Sequence, residues 1–409
     1  MRNLDTVVVG AGPSGTAAAI TLARAGLDVT LLDKAVFPRD KICGDGLTSL
    51  ALGLLEDLGL EPERVDNWQW ASNCWVRSPS GRTVEFPLPQ DQGHFVAVAP
   101  RYDLDSALVD LARKVGAEVV EGCAVTAATE ADGRVELEAD ELGSLSAQWV
   151  VAADGMWSPL RKHLGVSEKG YLGEWHAFRQ YASNVTGPAS REMYVAFEAD
   201  LLPGYFWTFP LPGGRANIGF GVQRGAKLPV GEMKATWADL LRRPHIREFL
   251  GPEARLEGTH RAWPIPARID RALPATSRTM FVGDAVAACD VMTGEGIGQA
   301  LLSGIRAAEA VIGAGRSGDA AGSYSETIRA ELVPDHRMST LLVRALRHRK
   351  GARAAVRMAG ATDWTRRNFA RWLFEDYPRA IVATPGRWGD HSFGGPGSYL
   401  DHEPHDGAS

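Results

Sequence analysis

The sequence predicts an α/β fold: a parallel-sheet domain interrupted by an inserted antiparallel-sheet domain and followed by a C-terminal helical region. Three observations predict it. The β-branched run Val7-Val8-Val9 passes straight into Gly10-Ala-Gly-Pro-Ser-Gly15 and then into a small-residue helical pattern from Thr16. A second apolar strand, Phe281-Val282, ends in Gly283-Asp284 far downstream. Between the two, residues 67–97 and 175–265 alternate apolar and polar positions in short runs, the period of antiparallel strands.

The first motif builds a dinucleotide site. Gly10 permits a tight turn, Gly12 lets a pyrophosphate approach the backbone, and Gly15 lets helix and strand pack closely. Pro13 and Ser14 open the helix, whose exposed N–H groups then face phosphates. The next strand ends in Asp33, a ribose-binding carboxylate about 20 residues on, with Lys34 beside it. A glycine turn in an ordinary βα unit is the plainer alternative. The strand before and the helix after favour a Rossmann-like unit.

Bulk properties bound the classes. The chain has 409 residues, 45% of them hydrophobic and 23% charged, with a net charge of −6, an ordinary balance that calls for no nucleic acid. Cys43, Cys74, Cys123 and Cys289 lie far apart without metal-type spacing, so no metal site is expected and free thiols fit a reducing compartment. The start runs directly into a strand, and no apolar run reaches the ~18 residues of a membrane span. A cytoplasmic protein, peripheral at most to a membrane, is expected.

In chain order, a dinucleotide-binding domain is expected over 1–66, 98–168 and 276–322, with the inserted sheet domain over 67–97 and 169–275. Within these, helices are predicted at about 47–60, 103–115, 232–249 and 296–312. Residues 323–384 read as helical and arginine-rich. Residues 385–409, rich in Gly, His, Asp and Pro, read as a poorly ordered tail.

Further elements join the opening motif. Arg101, ahead of its helix, brings a cation to a phosphate or ribose, or else sits in a solvated loop. Val125 follows a strand and suits an adenine edge. Asp154-Gly155 ends the apolar run 149–153, where ligands gather in open α/β sheets; a plain β-turn is the alternative. Gly283-Asp284 ends another such strand, with Asp284 placed to accept from ribityl hydroxyls. Gly294, Gly296 and Ile297 then open a long helix whose unpaired N–H groups suit the negative edge of a flavin pyrimidine. A second GxGxxG at 313–318 follows a helix, so it reads as a cap and loop. His402 and His405 read as part of the solvated tail, and Cys289 as packing.

Together these residues resemble the FAD-dependent oxidoreductases of the p-hydroxybenzoate-hydroxylase-like fold. Phe37-Pro-Arg-Asp-Lys-Ile-Cys-Gly44 resembles the P-x-x-K-x-C-G element of geranylgeranyl reductases, and Gly204-Tyr-Phe-Trp-Thr-Phe-Pro210, followed by Asn217-Ile-Gly219, their Y-x-W-x-F-P element. The resemblance covers about residues 5–310. It implies an FAD-binding domain and reduction of isolated C=C bonds in a polyprenyl chain by reduced FAD. It places Cys43 and Gly44 near the isoalloxazine ring, where the thiol donates a proton, gates the flavin or responds to redox state, with Lys41 compensating flavin or pyrophosphate charge. A buried inert cysteine is the alternative.

An unactivated alkene needs a proton as well as a hydride, and an apolar, aromatic-lined site to shelter developing positive charge. Tyr205, Trp207 and Phe209 alternate along one strand and so share a face that would line such a tunnel, or simply the core of a sheet. A monooxygenase or halogenase acting on an aromatic substrate is the competing activity on this fold. The electron donor is NAD(P)H bound transiently or a ferredoxin-like protein. Residues 344–379 mix ten Arg and Lys with aromatics; they either rest on anionic lipid or pack on the protein with their cations in water.

Overall fold

The computed structural model describes residues 2–316, 318–388 and 395–400. Arg2–Val9 lies in the middle of the first sheet, parallel to Val29–Leu32 on one side and Gly143–Ala152 on the other. Glu118–Val120 extends the sheet beyond Val29–Leu32, and Thr279–Phe281 runs parallel to Gly143–Ala152. Arg134–Ala139 and Val125–Ala131 add an antiparallel ribbon. Val7, Val8 and Leu31 are fully buried in the core that the sheet shares with its flanking helices, which is why these strands read as unbroken apolar runs.

Register matters for function. Val9 is level with Leu32 and Ala152, and Ala152 with Phe281. Four parallel strands therefore end along one line and deliver Gly10, Asp33, Asp154 and Asp284 to the crevice at their carboxyl ends. Gly10 has φ +104°, and a Cβ there would fall 2.2 Å from the Ala153 carbonyl oxygen. A Cβ on Gly15 would fall 1.7 Å from the Gly10 oxygen, so the helix Pro13–Arg24 can start this close to its strand only on glycine. Against that helix lies Ile297–Ala314, which buries Leu301, Gly304, Ala308 and Val311 along one face.

The second sheet runs in the order Arg255–Ile265, Trp175–Ser183, Arg215–Gln223, Tyr205–Leu211, Met193–Ala196, Asn73–Arg77, Thr83–Pro87. Every pairing is antiparallel except Met193–Ala196 with Asn73–Arg77. Phe206, Ile218 and Phe220 pack with Trp237 of the helix Met233–Leu240 and Ile246 of Pro244–Leu250. The single helix expected over 232–249 is thus two, broken before Pro244, whose ring cannot continue the preceding turn. The helix expected from Asp103 begins at Arg101 itself, so Arg101 is its first residue.

Four helices follow: Ala320–Glu331, Val333–Leu346, Arg349–Ala359 and Asp363–Leu373. The last two lie against the second sheet through Val356, Ala370 and the Phe86–Phe369 ring pair, 5.0 Å between centroids. Gly315 caps the helix Ile297–Ala314, which accounts for the second GxGxxG as a helix end. The expectation of a loose tail over 385–409 does not hold for 395–400. Ser398 bridges to His94, and Tyr399 is buried against Trp68 and Trp70 with its hydroxyl donating to the Leu60 carbonyl at 2.9 Å. His402 and His405 lie outside the described residues.

Candidate active site

A cavity of about 870 Å³ is lined by the carboxyl ends of the parallel strands, one face of the second sheet and the C-terminal helices. Of the residues singled out from sequence, Gly10, Gly12, Pro13, Ser14, Asp33, Lys34, Lys41, Cys43, Gly44, Arg101, Val125, Asp154, Gly155, Tyr205, Trp207, Asp284, Gly294, Gly296 and Ile297 all line it. Gly15 and Gly283 do not; they lie behind it, in helix and strand packing.

The polar end is built on the glycine loop. Asp33 accepts from the Ala11 N–H at 2.7 Å and the Ala35 N–H at 2.8 Å, so it braces the loop as well as bordering the cavity. Arg101 donates twice to Asp105, at 2.7 and 2.8 Å, and Arg39 donates to the same carboxylate at 2.7 Å. Both guanidinium groups stand 3.7 Å from where a Cβ of Gly12 would be. Two cations sharing one fully buried carboxylate leave a net positive charge above the glycine loop, which suits a pyrophosphate. Arg39 and Asp105 escaped the sequence reading; the spacing of Arg101 and Asp105, four apart on a helix, was the available signal.

Lys41 sits over the Trp263 ring, 3.7 Å from its centroid, and burial pulls its pKa down while Asp284 pulls it back up. Asp154 accepts from the Leu160 N–H at 2.8 Å, while its Oδ1 is buried without a hydrogen-bond partner; burial raises its pKa. An orphaned acceptor at a strand end beside a cradle that only glycines leave open fits a bound dinucleotide. Cys289 packs as expected and also contacts Asp284, Sγ to Oδ1 at 3.3 Å.

One expectation is corrected at the helix Ile297–Ala314. Its first N–H groups are not free: those of Ile297 and Gly298 donate to Glu295 Oε1 at 2.9 and 3.0 Å. The glycine-rich turn before it is tied by Asp290, which accepts from the N–H groups of Met292 and Thr293. Sequence reasoning passed over both acids.

The other arm is apolar. Tyr205, Trp207 and Phe209 share one face of their strand, with centroids 6.1 and 6.4 Å apart in succession. The Tyr205 hydroxyl donates to the Thr293 carbonyl, joining this strand to the glycine turn. Trp207 Nε1 donates to Asn217 at 3.1 Å, and Asn217 Nδ2 donates to the Cys43 carbonyl at 2.9 Å and to Asp45 at 2.7 Å. The Cys43 loop is thereby pinned to the aromatic wall. Burial, with Asp45 adding to it, pushes the Cys43 thiol up to about 11, so it is a neutral thiol near pH 7. Outward from here Met193, Val195, Phe197 and Met292 continue the wall to Leu342, Leu346, Ala354, Met358 and Trp372.

The profile of the FAD binding domain family matches residues 3–308. Menaquinone reductase of Mycolicibacterium smegmatis is 34% identical over 336 residues, 76% of this chain and 77% of that protein. Digeranylgeranylglycerophospholipid reductase 2 of Methanopyrus kandleri is 30% identical over 328 residues, 78% of this chain and 80% of the relative. Among solved structures, a geranylgeranyl bacteriochlorophyll reductase-like protein from Thermoplasma acidophilum superposes with a TM-score of 0.78 at 21% identity, covering 94% of this chain and 99% of the other. The p-nitrophenol 4-monooxygenase PnpA from Pseudomonas putida shares the fold, with a TM-score of 0.71 at 18% identity over 93% of this chain and 99% of that one. The chain is an FAD-dependent oxidoreductase and belongs to the geranylgeranyl reductase family of FAD-binding proteins.

Proposed function

We propose that this protein saturates C=C bonds in the polyprenyl chain of a lipid or prenylated quinone. The observation that carries the reading is the apolar, aromatic arm of the cavity, which begins at Cys43 and Tyr205 and runs outward to Leu346 and Met358. Such a channel accepts a long hydrocarbon and offers little to hold a small polar aromatic. Two relatives named for a prenylated quinone and a digeranylgeranyl lipid support the same class.

When bound, FAD supplies the hydride, after reduction by NAD(P)H or an electron-donor protein. The residues of this chain do the rest. Gly10, Gly12, Arg39 and Arg101 hold the pyrophosphate, and Asp154 and Asp284 take hydroxyl donors along the cofactor. Tyr205 and Trp207 present ring faces to the double bond, where they favour positive charge developing on the more substituted carbon. The hydrocarbon walls keep water from that carbon. The Cys43 thiol, with its pKa raised to about 11, stays neutral and has little nucleophilic character.

The test is anaerobic. Protein loaded with FAD and reduced with excess dithionite should convert menaquinone or geranylgeranyl diphosphate to products heavier by one pair of hydrogen atoms per bond, read by mass spectrometry. If neither changes mass, while oxygen admitted with an aromatic substrate yields a hydroxylated or halogenated product, the competing chemistry found on this fold is the right one.

A further inference from the structure

Three acids and one arginine cluster at the glycine turn: Asp290, Glu375 and Arg379 have buried side chains, and Glu295 is half-buried. Only Glu295 of the three acids lines the cavity. It lies across from Tyr205, whose hydroxyl would come within 4.0 Å of a Cβ on the adjacent Gly294, and its charge is felt by Cys43, Cys289 and Tyr205. Resting on the proposed function, we propose that Glu295 is the proton donor to the alkene.

Charge counting leads there first. One guanidinium cannot neutralise three carboxylates clustered in and beside the protein interior, and an unpaired buried charge is strongly disfavoured. Asp290 takes the ionised role. Burial works against it, but Arg379, the Ser339 hydroxyl at 2.5 Å and Thr293 at 2.8 and 2.9 Å hold its pKa below the usual carboxylate range. The other two acids keep their protons into the neutral range. Burial lifts Glu295 to about 7, against the N–H groups of Gly298 and Ile297. Glu375, also raised by burial, reaches about 8; it accepts from Gln299 at 2.8 Å and from the Thr48 hydroxyl at 3.3 Å, and it does not itself line the cavity.

The geometry then separates two duties of one side chain. Oε1 accepts the two N–H groups that start the helix Ile297–Ala314. A carboxylic acid has a second oxygen, and with Oε1 committed to the helix the proton belongs on Oε2. The step balances simply. The Oε2–H bond breaks as a C–H bond forms at the less substituted alkene carbon, and the hydride supplied by reduced FAD forms the second C–H bond at the other carbon. Glu295 is left as a carboxylate and regains its proton from water before the next cycle. Groups facing it that shape this titration are Asp290 on its own turn, Glu375 and Arg379 from the C-terminal segment, Cys43 and Cys289, and Tyr205 from the second sheet.

Glu295→Gln tests this, because an amide oxygen still caps the helix but carries no acidic proton. The full-length variant should bind FAD and be reduced by dithionite as wild type does. Saturation of menaquinone or geranylgeranyl diphosphate, followed by mass spectrometry, should fall at least about 100-fold, the scale of a lost general acid. The wild-type saturation rate should decline as pH rises through 7, and the residual rate of the variant should not. A readout independent of turnover is the infrared carbonyl band of a protonated carboxylic acid in the apoprotein. The band in the wild-type-minus-variant difference should disappear as pH rises past 7. Saturation by Glu295→Gln within about threefold of a competent wild type, or a difference spectrum without a titrating acid band, overturns the role of Glu295 alone. A wild type that saturates neither probe overturns the functional reading and this role with it.

Discussion

Asp45 illustrates how much a single side chain can be asked to do in this site. It is fully buried at φ +63°, and it accepts from Tyr181 at 2.7 Å and from Asn217 at 2.7 Å. Through Asn217 it fixes both the Cys43 loop and the edge of Trp207. Burial raises its pKa from 3.8 to about 6, and Arg179, Tyr181 and Asn217 offset only part of that rise. The folded protein therefore holds a proton between about pH 4 and 6 that the unfolded chain has released. The stability this represents is complete below pH 4 and is lost as pH rises through 6. At ~1.36 kcal/mol per pKa unit the loss is about 3 kcal/mol. Denaturant unfolding at pH 4 and pH 7 should show it, and Asp45→Asn, which cannot ionise, should flatten that part of the profile. An unchanged pH dependence in the variant would refute the assignment. Nothing in the local sequence Cys-Gly-Asp-Gly announces this role. The motif brought Cys43 and Gly44 to attention, but the partners of Asp45 come from strands far away in the chain.

At the scale of elements, the dinucleotide loop depends on two helices that meet almost without side chains between them. Gly304 of Ile297–Ala314 lies so close to Pro13–Arg24 that a Cβ would stand 2.1 Å from the Ser14 carbonyl oxygen. Ser14 lines the cavity, so moving the helices apart moves the loop. Gly304→Ala should cost roughly 1–3 kcal/mol, as overpacking of a tight contact does. Bound FAD should be lost more readily on gel filtration, and thermal unfolding should begin at a lower temperature. Retention of FAD and an unchanged melting temperature would show that the helices can yield without cost. Both helices were legible in the sequence because each combines a long apolar period with glycines at or just before its start. Two other features were not. The capping of Ile297 and Gly298 by Glu295 places an acid where the glycine pattern implied bare N–H groups. The 395–400 strap has the composition of a loose tail, and only the hollow formed by Trp68, Trp70 and Leu60 gives Tyr399 a place to dock.

At the scale of the whole molecule, the distribution of charge bears on how the polyprenyl substrate proposed above would reach the cavity. The chain carries a net charge of −6, yet Arg344, Lys350, Arg353 and Arg357 are exposed together on the helices Val333–Leu346 and Arg349–Ala359. Large apolar side chains stand out among them: Leu341 is 60% exposed, Met358 67% and, on the next helix, Trp364 70%. Leu342, Leu346, Ala354 and Met358 of the same helices line the outer end of the cavity, so the basic and apolar surface surrounds its mouth. No helix among the described residues is long and apolar enough to cross a membrane. We propose that this face rests on an anionic bilayer, with the apolar side chains in the headgroup region and the arginines and Lys350 on lipid phosphates, so that a polyprenyl chain enters without crossing water. Each basic residue near such a surface contributes about 1 kcal/mol. Reversing two of them, in Arg353→Glu/Arg357→Glu, should weaken co-sedimentation with phosphatidylglycerol vesicles by roughly tenfold or more. Binding of the wild type should fall with added salt and be weak on phosphatidylcholine alone. Neither residue lines the cavity, so the variant should still saturate substrate dispersed in detergent while losing activity on substrate held in anionic vesicles. Equal co-sedimentation of variant and wild type would place these arginines simply in solvent, and the route of the substrate would then have to start elsewhere on the surface.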